Sequence, residues 1–194
     1  MINTAIALSQ TGAQVVVIDG DMRKPRVHRV FEGGGENGAG LSNYLSGNAE
    51  LRSIVKKTEV PNLYYIPAGP VPPNPSELLG SKLFTTMLEI LSGKFDHVVI
   101  DSPPVLGFAD AVIIGSAIDG VLLVALGGKT PRETLQHAKE ALLQVNAKIL
   151  GVVINRVDIQ RSYYGYYYYR YHYYYGKESK KELPYTSENE SAST

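Results

Sequence analysis

Val16-Val17-Ile18-Asp19-Gly20-Asp21-Met22-Arg23 ends an apolar, β-branched run on two carboxylates spaced by one residue. The run is strand-sized and has no polar face, which is the pattern of a strand buried on both sides in a parallel sheet. In open α/β sheets, ligands bind at the carboxyl ends of such strands, so the position of Asp19 and Asp21 carries functional weight. Two acids at this spacing can provide a hard-cation site and a base. A strand-ending Asp that only caps a turn has the same local sequence.

Working outward, apolar runs recur at Gln14–Ile18, Leu63–Pro67, His97–Ile100, Gly120–Leu126 and Ile149–Ile154, separated by stretches with helical spacing. This alternation predicts an α/β domain built on a mostly parallel sheet. Asn3 to Leu8 reads as a helix closed by Gly12, and Ala49 to Lys57 as a further helix. His97-Val98-Val99-Ile100 runs into Asp101-Ser102-Pro103-Pro104, so a second strand delivers an acid to the same edge of the sheet. The two strand ends together resemble a Mg²⁺-nucleotide site, in which an acid of the Walker B type holds the metal.

Several motifs read otherwise. Gly33, Gly35 and Gly38 spell GxGxxG but follow Val30-Phe31-Glu32, a helix end and not a strand end, which argues against a dinucleotide site. Gly128-Lys129-Thr130 lacks the earlier glycine of a Walker A loop, since that position is Leu123. Thr130, Pro131 and Glu133 instead predict an N-cap, a first helical residue and a capping box. Asn155-Arg156-Val157-Asp158 closes the last strand, where Asn155 could read a purine edge or simply make a turn.

The chain has 194 residues, 44% of them hydrophobic, enough for one core. Lys plus Arg and Asp plus Glu balance at 19 each, which gives no global pull toward nucleic acid or an anionic membrane. With no cysteine, disulfides, thiolate metal sites and a cysteine nucleophile are excluded. No apolar run approaches the ~20 residues that span a bilayer. Beyond Asp158 the composition changes, so a domain over 1–158 and a disordered tail over 159–194 are expected. Of 14 tyrosines, ten lie together: Tyr163, Tyr164, Tyr166, Tyr167, Tyr168, Tyr169, Tyr171, Tyr173, Tyr174 and Tyr175. They could be a low-complexity tract, a stacking surface or phosphate acceptors. Only Arg170 and His172 are interleaved, so nucleic-acid stacking is disfavoured.

Taken as a set, these residues resemble the P-loop tyrosine kinases of bacteria. Val16 to Arg26 is similar to their Walker A′ motif, His97 to Pro104 to their Walker B motif, and Asn74-Pro75-Ser76-Glu77-Leu78-Leu79 and the tyrosine cluster also match. The resemblance implies a three-layer P-loop fold with helices on both faces of the sheet. It implies Asp19 as proton acceptor, Asp21 and Asp101 as Mg²⁺ ligands, Asn155 with Arg156 on adenine, ATP as substrate, and autophosphorylation of the cluster. It further implies a ring-shaped homo-oligomer and a membrane-embedded polysaccharide co-polymerase as partner. The location implied is the cytoplasmic face of the membrane, and the process is capsule or exopolysaccharide synthesis and export. The family's first strand and Walker A loop would lie immediately before Met1, and without them the chain is not expected to hold ATP productively. A non-catalytic interaction module and a MinD- or ParA-type ATPase switch are the alternative readings.

Overall fold

The structure, a computed structural model, describes residues 1–31 and 38–157. Chain order is α1 (Ile2–Gln10), β1 (Val15–Asp19), α2 (Val27–Phe31), α3 (Leu41–Leu45), α4 (Leu51–Ile54), β2 (Lys56–Lys57), β3 (Leu63–Ile66), α5 (Pro75–Leu79), α6 (Lys82–Ser92), β4 (His97–Asp101), α7 (Asp110–Ser116), β5 (Val121–Leu126), α8 (Arg132–Leu143) and β6 (Ile149–Asn155). All five expected strands form, each within a residue or two of its expected bounds.

β1 lies inside a four-stranded sheet of order β2-β3-β1-β4, parallel to both β3 and β4. Every β1 residue is buried, because both faces are covered. Strand alternation divides the packing: Val16 and Ile18 join Leu41, Ile66, Phe84, Met87, Leu91 and Ile114 on one face. Val15 and Val17 join Ala5, Val27, Leu63 and Tyr65 on the other. Helices therefore cover both sides, giving the three-layer α/β arrangement.

Two expectations are corrected. The helix expected over 49–57 is a single turn, Leu51–Ile54; Val55 is extended (ψ 114°), and Lys56 and Lys57 pair antiparallel with Tyr65 and Tyr64. Pairing to an available sheet edge outweighs the weak helical preference of a segment containing β-branched Val55. The capping box at Thr130 does not form. The helix starts one residue later, with Pro131 in the N-cap position at ψ 147°, and the Thr130 hydroxyl oxygen accepts from the Leu126 N–H at 2.9 Å. The hydroxyl closes the turn after β5 and is not available to the helix.

The remaining strands form a second sheet, β5 parallel to β6. Among the described residues, β4 and β5 each have one edge without a strand partner. Apolar side chains are correspondingly exposed on this sheet, with Val124 at 65% and Leu122 at 54%. α7 links the two parts: it packs on α5 and α8, and its Gly115 lies so close to Leu142 that an added Cβ would sit 2.9 Å away. No helix among the described residues is long and apolar enough to cross a membrane.

Candidate active site

The β1–β4 register pairs Ile18 with Ile100 and Asp19 with Asp101, so the two strands deliver their acids side by side at their carboxyl ends. Gly20 makes this approach possible. Its N–H donates to the Asp101 carbonyl at 2.9 Å, and a Cβ at residue 20 would lie 2.5 Å from that same oxygen. A larger residue between Asp19 and Asp21 would push the chain away from β4.

Asp19 is fully buried. Its Oδ2 accepts from the N–H groups of Arg26 and Val27, both at 2.9 Å, while Oδ1 is buried without a partner. Burial pushes the Asp19 carboxyl above its usual range, backbone N–H groups, those of Val27 and Arg26 foremost, pull it back, and the Asp21 charge raises it further. Asp101 is also raised, first by burial, then by the charges of Asp19 and Asp21. Asp21 Oδ1 accepts from Arg23 N–H at 3.2 Å and Lys24 N–H at 3.0 Å, an Asx-type turn. The three acids named from the sequence thus share one corner, close enough for their charges to interact.

No group of three acids or imidazoles converges as a ready-made metal cage among the described residues. Mg²⁺ in nucleotide sites takes one or two carboxylates, its other ligands being water and phosphate oxygens, so such a cage is not required. The orphaned Asp19 Oδ1 and the mutual repulsion of the acids fit a cation at this corner. Its role would be to neutralise charge that builds on phosphate oxygens.

Asn155 ends β6, in the second sheet, and Arg156 follows it. Asn155 Oδ1 accepts from the Arg156 N–H at 2.8 Å, and Arg156 has φ +54°. The turn reading of Asn155 is therefore realised, with its side-chain acceptor engaged by the backbone. Gly128, at φ +68°, belongs to a tight turn in which the N–H groups of Lys129 and Thr130 both donate to Leu126 O. That turn is closed on itself and is not a phosphate cradle. Gly33 and Gly35, the boundary at Asp158, the tail 159–194 and all ten tyrosines from Tyr163 to Tyr175 lie outside the described residues.

One part of the site had no sequence signal. Asp110, fully buried, receives a two-pronged contact from Arg23, Nε to Oδ2 at 2.6 Å and Nη2 to Oδ1 at 3.1 Å, and the Ser76 hydroxyl donates to Oδ1 as well. Burial alone would raise Asp110, but the bonds from Arg23 and Ser76 and the Arg23 charge hold it below its usual value. In sequence Asp110 is an ordinary acid in the first turn of a helix, 87 residues from Arg23.

A mostly parallel sheet with helices on both faces and acids at adjacent strand ends defines a P-loop NTPase-like protein. A family model described as an AAA domain matches residues 1–150. The chain is 40% identical over 177 residues to the tyrosine-protein kinase CpsD of Streptococcus agalactiae, covering 91% of this chain and 75% of that one. The kinase domain of the Escherichia coli tyrosine kinase ETK superposes with TM-score 0.76 at 29% identity, over 94% of this chain and 64% of that one. The septum site-determining protein MinD of Pyrococcus horikoshii, complexed with Mg-ADP, follows with TM-score 0.67 at 25% identity, over 83% and 64%. The chain belongs to the P-loop tyrosine-kinase family of bacteria, whose phosphoryl transfer draws on ATP and a divalent cation.

Proposed function

We propose that the protein transfers the γ-phosphoryl group of ATP to tyrosine hydroxyls, with the cluster Tyr163–Tyr175 as its acceptors. The observation that carries this reading is the register pairing Asp19 with Asp101, which assembles the acids at the ligand-binding edge of the sheet. The phenolic oxygen attacks the γ-phosphorus, the bond to the bridging β-phosphate oxygen breaks, ADP leaves, and the phenolic proton passes to Asp19. A tyrosine of pKa ~10 needs such an acceptor, and a carboxylate raised by burial is a stronger base than a free one. Asp19 is closed to solvent in this structure, so transfer requires a local opening that brings its carboxylate within reach of the phenolic proton. Asp21 and Asp101 would hold Mg²⁺, and Asn155 with Arg156 would meet adenine. The unpaired edges of β4 and β5 are where a strand leading into a phosphate-binding loop would pair.

The wider role proposed is control of capsule or exopolysaccharide synthesis and export. In it the protein works as a ring at the cytoplasmic face of the membrane, beside a membrane-embedded polysaccharide co-polymerase. Peptide mapping by mass spectrometry after incubation with Mg·ATP tests the chemistry, on the chain fused behind a strand and Walker A loop. Phosphate on residues 163–175, abolished by replacing those tyrosines with Phe, is the expected result. Modification of serine or threonine instead would overturn the assignment of acceptors.

A further inference from the structure

We propose that Arg23, Asp110 and Ser76 form a positioning clamp that fixes the backbone of residues 23–27, and through it the orientation of the Asp19 and Asp21 carboxylates. Asp21 is held by the N–H groups of Arg23 and Lys24, and Asp19 by those of Arg26 and Val27. Both acids therefore point where this short backbone segment points them. The segment has no sheet partner, so something else must hold it in place. Met22, fully buried in the core, secures the near end. The Arg23 side chain reaches across to elements distant in sequence.

Its guanidinium forks onto Asp110 at the start of α7, bonds Ser76 Oγ in α5 at 3.3 Å through Nη2, and lies 4.3 Å from the centre of the Phe108 ring. A planar fork fixes orientation as well as distance, which an ammonium group does not. The buried Asp110 carboxylate cannot be left unpaired without a large penalty, so the contact stays closed in the native state. Ser76 belongs to the Asn74–Leu79 motif, which otherwise has no chemical part in the site. The clamp gives it one, joining α5, α7 and the Asp21 turn into a single unit.

None of the three is a catalytic residue, since none touches a reacting atom. The catalytic consequence rests on the kinase reading above, while the mechanical consequence does not. Hydrogen exchange of the peptide spanning Asp19–Val27 in the Asp110→Asn and Arg23→Lys variants tests the mechanical part. Exchange at Arg26 and Val27 is expected to quicken about tenfold, while β3 and α6 keep their protection. Unchanged exchange there, with Met22 sufficient to hold the turn, would overturn the clamp, and so would equal loss of protection across the core. Should Asp110→Asn not fold, Ser76→Ala removes the two Ser76 hydrogen bonds and leaves the ion pair; a smaller increase in the same peptide is expected, and no increase overturns the proposal. In an ATP-competent form, Asp110→Asn should lower kcat about tenfold with KM for ATP changed less than about twofold. Faster exchange with unchanged kcat would overturn the positioning role, whereas faster exchange in a protein with no phosphoryl transfer at all would leave the clamp standing and remove the kinase reading.

Discussion

At the residue scale, Asp19 is the most buried of the three acids: two N–H donors fix one oxygen, and the other is buried without a hydrogen bond. Its raised carboxyl binds a proton more tightly in the folded than in the unfolded state. Stability from this group is therefore greatest in acid and falls as pH rises from about 4 through the raised value. Asp110 has the opposite sign: lowered by Arg23 and Ser76, it stabilises at neutral pH, and that stability is lost as pH falls through its folded value. Asp19→Asn keeps an acceptor for Arg26 and Val27 but removes the buried charge. Thermal melts should show it more stable than the parent at pH 7.5, by on the order of 1 kcal/mol or about 2–4 °C, with the gain vanishing near pH 4. A lower melting temperature at pH 7.5 would mean the charge is compensated by a partner. The carboxylates were legible in the sequence because an acid at the end of an apolar strand stands out. Asp110 was not, since its partners lie 87 and 34 residues away and nothing local marks them.

At the scale of elements, the strands were legible because β1, β4 and β5 are continuous apolar runs, the pattern of strands in a parallel sheet. What escaped was decided by distant pairing: Lys56 and Lys57 join β3, and the Thr130 hydroxyl serves Leu126. The break between β4 and β5 leaves the second sheet with exposed apolar residues, Val124 among them at 65%. Exposed apolar strand edges are templates for association. Val124→Lys should reduce concentration-dependent association in sedimentation velocity and shift stability by no more than about 0.5 kcal/mol, since the site is open. Unchanged association would place the sticky surface elsewhere.

At the scale of the whole molecule, the two sheets share α7, so the acid corner and the Asn155 turn belong to one connected framework. The framework supplies the acids proposed to hold the metal, while phosphate binding needs a glycine-rich loop with a lysine, which neither Gly128-Lys129-Thr130 nor any other described turn provides. Intact mass after incubation with Mg·ATP tests the central claim most directly, for the chain alone and for the chain fused behind a strand and Walker A loop. Phosphate additions on the fused form, absent from the chain alone and abolished by Asp19→Ala, are predicted. No additions on the fused form, or additions undiminished by Asp19→Ala, would contradict the account.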